Sequence, residues 1–580
     1  MMVETTMLKG IAASPGIAIG RAFVLDADQP VDDEERVAPE RIAGELSRFN
    51  AALESLAAEM KNILELARRE SDTVSSIVES QAMIMSDPML AKAVATRIAN
   101  GASAESAVAR EFDANKAMLY NARDAVIRSR AQDFEHAKER LIAVLRNRTL
   151  SHAAGYDSIV VAPTVTPQDM LYFRQTQTLG FITEIGGLNS HACILARDMN
   201  IPAVIGIRGA ADVIDKDTIL IVDGYSGVVV INPDEATLEE YRSKQYRAAE
   251  YRQHLGTLID KPTVTTDGVH VRLLANVDDP SHVDEAMMAG GEGVGLVRSE
   301  ILLIQHSRYP SVDEQTAWYR DIAERAYPKP VTIRAFDVGS DKFRQGIPHH
   351  EDNPALGLRG IRFLLYRQDI FEEQVCAVLR ASVHRNVRLM LPMVSMLEEL
   401  EEARRIVEKC QRNLGAAGID FDPHLPVGVM IETPAAAMMA DMFAKHSDFL
   451  SIGTNDLAQY ALATDRTNDL VAGIFDALHP AVIKLVRMIV EAADRHQRTV
   501  SVCGEMAGHA AATEMLIGLG IRELSVAPRL LLELKQRIIN VSYMQCRELE
   551  QKLEECTTTQ DVYTVLNTIN EWRGKDDHYA

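Results

Sequence analysis

Eight short apolar runs alternate with helical stretches in the second half of the chain, and this alternation constrains the fold more than any other feature. Between the runs, apolar residues recur at the spacing of one helix face. The runs are VRLLANV (271–277), GVGLVRSE (293–300), VTIRAFDVG (331–339), RLMLPMV (388–394), VGVMIET (427–433), FLSIGTND (449–456), VSVCGEM (500–506) and ELSVAP (523–528). Eight βα units in about 300 residues is the number found in a TIM barrel, although the pattern alone also allows a doubly wound sheet.

The polar residues of these runs favour the barrel. They fall toward the carboxyl end of each predicted strand, and they are Arg298, Arg334, Asp337, Glu432, Asn455, Asp456 and Cys503. Barrel enzymes place their chemistry at the face where these strand ends meet. We therefore predict an α/β protein whose second half, residues 263–580, is a TIM (β/α)8 barrel with a site at that face.

The residue types at this face indicate an anionic substrate and a metal. Arg298, Arg334 and Arg466 indicate more than one anionic group, because a guanidinium binds carboxylate or phosphate through two parallel hydrogen bonds. Glu432 and Asp456 follow neighbouring strands, and two carboxylates are too few for a calcium cage but fit Mg²⁺ completed by substrate oxygens and water. Each residue taken singly is equally consistent with a structural ion pair at a strand end.

The first half of the chain places a histidine at a predicted helix start. The segment GGLNSHACILARDMNIPAVIG (186–206) follows an apolar run, and its glycine pair permits a sharp turn. Ser190 is a candidate N-cap, so His191 would lie in the first helical turn. The unsatisfied N–H groups of that turn attract anions and disfavour imidazolium, which keeps His191 neutral and nucleophilic. A histidine that only caps a βα turn is the alternative.

Changes in composition divide the first half. Glycine and proline almost vanish between residues 34 and 150, where apolar residues recur at helical spacing, and strand patterns return from residue 158. We predict a helical bundle over residues 34–150, inserted into an α/β subdomain made of residues 1–33 and 151–234. The charged stretch 235–262 is predicted to be a helical linker between this subdomain and the barrel.

The overall composition narrows the classes of function. The 580 residues are 47% hydrophobic and 25% charged, as is ordinary for a soluble globular protein. A formal net charge of −22 argues against nucleic acid or an anionic membrane as a partner. The six cysteines lack zinc-binding spacing, and we find neither a signal pattern nor an apolar run that would span a bilayer. We therefore expect a cytoplasmic protein with reduced thiols.

Several segments resemble the phosphoenolpyruvate-utilising enzymes, which include enzyme I of the sugar phosphotransferase system, pyruvate phosphate dikinase and phosphoenolpyruvate synthase. The histidine segment is similar to their phosphohistidine pattern, roughly GGxTSHxAIxAR…GIPAVxG. The helical segments ESQAMIMSDPML (79–90) and RAQDFEHAKERL (130–141) resemble parts of enzyme I. The second half resembles its phosphoenolpyruvate-binding barrel over NPALGLRGIR (353–362), LPMVS (391–395), IETPAAA (431–437), SIGTNDLAQYALATDR (451–466) and CGEMAG (503–508).

The resemblance implies a role for each candidate residue. His191 would accept the phosphoryl group, and Cys503 would protonate the enolate to give pyruvate. Phosphoenolpyruvate would be bound by Arg298, Arg334, Asn455, Asp456 and Arg466, and Mg²⁺ by Glu432 and Asp456. The structural alternative for Cys503 is a small buried core residue.

Some residues near His191 depart from the family pattern. Leu188 and Asn189 occupy positions where arginine and threonine are common, and Ala192 stands where threonine is usual. Loss of an arginine and a hydroxyl should weaken the stabilisation of a phosphate there, which affects rate and partner choice rather than the identity of the nucleophile. Thr166 matches a family threonine that can hydrogen-bond this histidine.

The resemblance implies a phosphoenolpyruvate-protein phosphotransferase that passes phosphoryl from His191 to a histidine of the phosphocarrier protein HPr or a relative, as the first step of sugar uptake. The inserted helices would bind HPr, and the barrel would form a homodimer. A dikinase or synthase is one alternative, but it would need an ATP-grasp domain, for which the helical insertion leaves no room. A regulatory homologue is another, although its nitrogen-related branch has an extra sensory domain that we do not expect, because the motif begins at Gly10.

Overall fold

Two β-sheets organise the part of the chain that the structure describes, one in each of two units, Met1–Glu250 and Tyr251–Ala580. The computed structural model describes residues 5–25, 36–70, 84–120, 125–146, 156–165, 169–170, 173, 176–186, 191–306, 308–339, 351, 353–466, 471 and 474–572. The two units are described separately below.

The first unit contains a mixed sheet of eight strands. In chain order they are β1 (Thr6–Lys9), β2 (Ile11–Ser14), β3 (Ile17–Val24), β4 (Ser158–Ala162), β5 (Gly180–Thr183), β6 (Ala203–Ile205), β7 (Ile219–Asp223) and β8 (Val228–Ile231). Their order across the sheet is β1, β8, β7, β3, β4, β5, β6, β2. The strands β3 to β6 run parallel, whereas the pairs β1–β8, β8–β7, β7–β3 and β6–β2 are antiparallel.

Long helices lie in the chain between β3 and β4, although these two strands are hydrogen-bonded neighbours. The helices of this unit are α1 (Ile42–Glu70), α2 (Pro88–Ala99), α3 (Ala104–Tyr120), α4 (Ala125–Leu145), α5 (His191–Asp198), α6 (Ala210–Val213) and α7 (Glu235–Gly256), the last of which runs past residue 250. The helices α3 and α4 form an antiparallel hairpin, because Asp113 pairs with Lys138 at 2.8 Å and Lys116 with Glu135 at 2.5 Å. The predicted insertion of a helical bundle into an α/β fold is therefore confirmed.

The second unit is a closed barrel of eight parallel strands. They are β9 (Arg272–Val277), β10 (Val294–Arg298), β11 (Val331–Arg334), β12 (Val387–Leu391), β13 (Val427–Ile431), β14 (Phe449–Ile452), β15 (Thr499–Val502) and β16 (Glu523–Val526). Each strand pairs with the next in the chain, and β16 pairs with β9. This closure confirms the predicted barrel and excludes the doubly wound sheet.

Helices follow the barrel strands in the chain. They are α8 (Pro280–Met288), α9 (Ile301–His306), α10 (Val312–Ala326), α11 (Ile361–Tyr366), α12 (Gln368–Ala381), α13 (Leu397–Ala416), α14 (Pro434–Met438), α15 (Ala440–His446), α16 (Thr454–Leu462), α17 (Pro480–Arg495), α18 (Thr513–Leu519), α19 (Leu531–Ile539), α20 (Tyr543–Leu553) and α21 (Thr559–Trp572). Among the helices that the structure describes, none combines the length and apolarity needed to cross a membrane.

Alternation along the strands explains how the barrel is packed. Apolar residues on one side of each strand join the helices in one large core, to which α17 contributes Val482, Val486 and Ile489 at helical spacing. Each such side chain contributes about 1.5–3 kcal/mol when it is fully buried. Residues on the other side form a separate buried cluster of Leu296, Met390, Met430, Phe449 and Cys503. This second cluster fills the inside of the barrel beneath the polar strand ends.

Candidate active site

The barrel brings most of the predicted site residues to one face. Arg298 and Arg334 end β10 and β11, Glu432 follows β13, and Cys503 follows β15. Asn455 and Asp456 lie in the first turn of α16, directly after β14. Because the strands are parallel, their carboxyl ends meet at the same end of the barrel.

Arg334 is buried within a group of carboxylates. Its guanidinium donates a hydrogen bond to Glu300, and Nη1 lies 3.7 Å from Asp337 Oδ2. Burial lowers the pKa of Arg334, but the charges of Glu300, Asp337 and Glu432 outweigh burial and hold that pKa above its ordinary value. Its Nε atom is buried and has no hydrogen-bond partner among the described residues. Arg334 therefore stays charged and keeps a donor for a ligand.

Arg359 is a site residue that the strand-end rule missed. It is buried, and it donates to Asp337 Oδ2 at 2.8 Å and Oδ1 at 3.3 Å. Its Nη2 atom also lies 3.9 Å from Asp456 Oδ2. Burial lowers the pKa of Arg359, but the charges of Asp337 and Asp456 outweigh burial and hold that pKa above its ordinary value, so Arg359 remains charged. The residue lies between β11 and α11 rather than at a strand end, and only the segment NPALGLRGIR pointed toward it.

Glu432 is held firmly at the centre of the face. Its Oε1 atom accepts a hydrogen bond of 2.7 Å from the backbone N–H of Met393. Gly453 leaves room for the other oxygen, since an added Cβ there would lie 2.7 Å from Oε2. Burial raises the pKa of Glu432 to about 8, with further contributions from the charges of Asp456 and Asp337. The surroundings of Glu432 therefore carry negative charge that a cation would offset.

The donor set fits a cation that the protein coordinates only in part. Among the residues that the structure describes, no group of three or more histidine, cysteine, aspartate or glutamate side chains converges on one point. Glu432 and Asp456 thus offer two carboxylates at one face, and the remaining ligands would be oxygens of substrate and water. Mg²⁺ has this preference, because it dehydrates reluctantly and takes one or two protein carboxylates in phosphate-handling sites.

Cys503 lies at the boundary between the inner apolar cluster and the polar face. It is buried, Ser451 Oγ donates to its Sγ at 3.3 Å, and Sγ lies 3.6 Å from the carbonyl oxygen of Ile452. Burial raises the pKa of the Cys503 thiol, and Glu432 raises it further, while the hydrogen bond from Ser451 offsets part of the effect. At neutral pH the residue is therefore a protonated thiol that has a proton to give.

Asn455 and Arg298 occupy the rim of the face. Asn455 Oδ1 accepts from the N–H of Glu505 at 2.9 Å, and its Nδ2 donates to Glu505 Oε1 at 3.0 Å. This pair ties the start of α16 to the turn after Cys503. Arg298 Nη1 donates to both oxygens of Asp278 at 3.2 Å. Arg466 is exposed, and within the described residues the structure does not bring it into contact with the other site residues.

His191 belongs to the first unit, where it is the first residue of α5. Ala192, Cys193, Leu195 and Ala196 of this helix are buried in the same core as residues of β4, β5 and β6. The sheet thus fixes the helix that begins at the histidine. Its own side chain, the N-cap candidate Ser190, the departures Leu188 and Asn189, and Thr166 lie outside the described residues.

The fold and the barrel face define an α/β barrel enzyme that handles an anionic substrate. Family profiles agree with this class along the chain: residues 252–543 match "PEP-utilising enzyme, PEP-binding domain", residues 9–130 match "PEP-utilising enzyme, N-terminal", and residues 155–227 match "PEP-utilising enzyme, mobile domain". The chain belongs to the family of phosphoenolpyruvate-utilising enzymes.

Similar proteins extend over nearly the whole chain. A phosphoenolpyruvate-protein phosphotransferase of Priestia megaterium is 36% identical over 93% of this chain and 94% of its own. The protein of that name from Cupriavidus necator is 37% identical over 94% of this chain and 96% of its own. A solution structure of an enzyme I protein is 32% identical and covers 42% of this chain and 99% of its own, with a TM-score of 0.37.

Proposed function

We propose that the protein is a phosphoenolpyruvate-protein phosphotransferase that transfers phosphoryl from phosphoenolpyruvate to His191 and then to a histidine of another protein. The observation that carries the proposal is the barrel face, which combines the buried arginines Arg334 and Arg359, the carboxylates of Glu432 and Asp456 for a cation, and the protonated thiol of Cys503. Similarity over nearly full length to proteins with this name supports the same reaction.

The residues of the barrel face suit each step of this chemistry. Arg298 and Arg334 would bind the carboxylate and phosphate of phosphoenolpyruvate, and Arg466 and Asn455 would complete the contacts at the rim. As phosphoryl leaves, negative charge develops on the enol oxygen, where preorganised cationic groups stabilise it. Cys503 would then give its proton to the methylene carbon, which converts the enolate to pyruvate. When bound by Glu432 and Asp456, Mg²⁺ would supply charge neutralisation at the phosphate oxygens.

The division of the chain suggests how phosphoryl travels. Residues 263–580 would bind phosphoenolpyruvate, and residues 1–33 with 151–234 would carry His191. The inserted helices of residues 34–150 would bind HPr or a related phosphocarrier, and residues 235–262 would link the two parts. We further propose a cytoplasmic location and a homodimer formed through the barrel. Sedimentation at micromolar concentration with Mg²⁺ and phosphoenolpyruvate present would contradict the dimer if it showed only monomer.

A labelling experiment tests the proposal. The protein is incubated with Mg²⁺ and phosphoenolpyruvate labelled in its phosphoryl group, and any acid-labile phosphoryl is mapped. We expect label on His191, loss of label in a folded His191→Ala variant, and normal labelling in His424→Ala, which alters an exposed histidine of the barrel unit. Unlabelled wild-type protein would contradict the function, and label retained by His191→Ala would contradict the assigned nucleophile.

A further inference from the structure

A buried glutamine of α12 connects the two strand ends that carry Arg298 and Arg334. Gln374 is 0% exposed. Its Nε2 atom donates to Ser299 Oγ at 3.1 Å and to Tyr319 Oη at 2.9 Å. Its Oε1 atom accepts a hydrogen bond of 3.0 Å from the backbone N–H of Phe336. One side-chain amide therefore contacts the segments after β10 and β11 and a tyrosine of α10.

The hydrogen bonds continue to the backbone of Arg334 itself. Ser299 Oγ donates to the carbonyl oxygen of Arg334 at 2.6 Å. Ser299 also lies in the chain between Arg298 and Glu300, the carboxylate that pairs with the Arg334 guanidinium. The ring of Gln374, Ser299 and the backbone from Arg334 to Phe336 thus fixes the spacing between two arginines of the candidate site.

Energetics explain why this ring should be rigid. A buried amide that loses its partners bears the desolvation cost of each unsatisfied group, so a shift of either strand end is unfavourable. Ser299, Tyr319 and Phe336 are all fully buried, so water is not available as a substitute partner. Among the described residues, the hydrogen bonds of the Gln374 side chain go to Ser299, Tyr319 and Phe336 and not to a guanidinium of the face. Gln374 therefore acts on the two arginines through Ser299 and the backbone.

We infer that Gln374 is a positioning residue. It holds Arg298 and Arg334 at the spacing that the transition state of phosphoryl transfer from phosphoenolpyruvate requires. The inference rests on the proposed function. In such sites, a displacement of about 1 Å caused by a change far from the chemistry can lower the rate on the order of 100-fold. Replacement of Gln374 should therefore lower kcat/KM for phosphoenolpyruvate far more than a comparable loss of stability does elsewhere in the barrel.

The first test compares two buried glutamines. Gln374→Leu removes the hydrogen-bonded ring. Gln315→Leu removes a glutamine of α10 that is 1% exposed and whose one side-chain hydrogen bond among the described residues goes to the carbonyl oxygen of Pro310, at 2.9 Å. Pyruvate release is measured with Mg²⁺ and HPr, which accepts the phosphoryl group from His191 and so allows turnover, well below the melting temperature of each variant. We expect kcat/KM to fall about 10- to 100-fold in Gln374→Leu and less than twofold in Gln315→Leu. Equal values for the two variants, beside an active wild type, would overturn this inference alone.

The second test uses a pH profile that a merely structural role would not change. In Gln374→Glu, burial raises the pKa of the new carboxyl group, and its neutral form keeps one donor and one acceptor of the amide. We expect kcat/KM of this variant, taken relative to wild type, to recover severalfold between pH 8 and pH 6. A ratio independent of pH would overturn the inference. A wild type that forms no pyruvate would overturn the proposed function and the inference with it.

Discussion

Cys503 and Glu432 share one buried face, and burial raises both pKa values by the same physical mechanism. The consequences differ because the groups have different proposed tasks. A thiol with a raised pKa keeps its proton at neutral pH and can act as an acid. A carboxyl group with a raised pKa is partly protonated at neutral pH. It would bind a metal ion only after a nearby positive charge lowers its pKa and the proton leaves.

Replacing the Cys503 thiol tests its proposed role. We expect Cys503→Ser to lower pyruvate formation at least 100-fold, because serine is a far weaker acid and general acids contribute about 10²–10⁴-fold. Binding of phosphoenolpyruvate should persist, as measured by calorimetry.

The matched control for this variant is Cys546→Ser, which alters another buried cysteine of the same unit on α20. It should lose stability without loss of turnover. Near-normal turnover of Cys503→Ser would make the residue part of the packing only.

The sequence predicted the site residues that lie at the ends of strands. It did not predict the residues on helices and loops that hydrogen-bond to them or to the nearby backbone. Arg334 and Glu432 could be found from position alone, since each ends or directly follows an apolar run. Gln374 and Arg359 could not, because a glutamine in an amphipathic helix and an arginine in a loop have many ordinary explanations. Arg466 was selected by its motif, and the described residues do not place it against the others.

Gly453 joins β14 to α16, and its lack of a side chain leaves space for Glu432, which follows the neighbouring strand β13. An added Cβ would lie 2.7 Å from Glu432 Oε2 and 2.9 Å from Glu432 Cβ. We expect Gly453→Ala to displace Glu432, raise the Mg²⁺ concentration needed for half-maximal turnover, and lower turnover tenfold or more.

The helical glycine Gly415 provides the control for Gly453→Ala. An added Cβ at Gly415 meets nothing within 4 Å, so Gly415→Ala should add about 1 kcal/mol of stability and leave the Mg²⁺ response unchanged. The same Mg²⁺ response in both variants would contradict the placement of Glu432 as a ligand.

Asp267 fixes the first turn of α20 to the turn before β9. Its carboxylate accepts from Thr265 Oγ1 at 2.6 Å, Ser542 Oγ at 2.8 Å, and the N–H groups of Tyr543 at 2.8 Å and Met544 at 3.0 Å. Burial raises the pKa of Asp267, but the four hydrogen bonds together outweigh burial and lower that pKa well below its ordinary range. Because the folded-state pKa is depressed, the stabilisation is complete above the unfolded value of about 3.9 and declines as the pH falls below it.

We therefore expect Asp267→Ala to destabilise the protein at pH 7 by about 1 kcal/mol, as the loss of a cap does at an exposed helix end. The difference from wild type in free energy of unfolding should shrink below about pH 4. Asp420 is an exposed aspartate without a hydrogen-bond partner among the described residues. Asp420→Ala should therefore leave the free energy of unfolding unchanged at pH 7 and below pH 4. A pH-independent difference for Asp267→Ala would contradict the hydrogen-bonded carboxylate.

Each of the eight predicted barrel runs overlaps one strand of the barrel, with bounds that differ by a few residues. The run 331–339, for example, contains the shorter strand Val331–Arg334, although the N–H of Ala335 still donates to Met390 of β12 at 2.9 Å. Periodicity finds strands because buried faces repeat, but it cannot tell where pairing with a neighbour stops. Pairing depends on β10 and β12, which lie far from β11 in the sequence.

The proposed nucleophile and the proposed substrate site belong to different units of the chain. His191 belongs to the unit that ends at residue 250, whereas the arginines and Cys503 belong to the unit that begins at residue 251. Transfer requires the reacting atoms to come within roughly 3–3.5 Å, and delivery to a partner protein requires the same histidine to be accessible elsewhere. We therefore expect the segment Glu235–Leu255 to act as a swivel between two docked states.

A fragment that ends near Leu255 tests this division of labour. We expect it to fold alone, to exchange phosphoryl with phosphorylated HPr, and to take no label from phosphoenolpyruvate. The full chain labelled under the same conditions is the control. Direct labelling of the fragment by phosphoenolpyruvate would show that the barrel is not needed and would contradict the two-domain mechanism.

The closure of β9 against β16 has a consequence for how the protein is made. The ring joins Leu273 to Leu524, so its last seam cannot form until almost the entire chain has left the ribosome. Before that moment β9 and the newest strand have unpaired edges, which are ready partners for other nascent chains. The first unit has no such delay, because its last strand ends at Ile231. Synthesis therefore delivers a folded histidine domain well before the barrel that would supply its phosphoryl group.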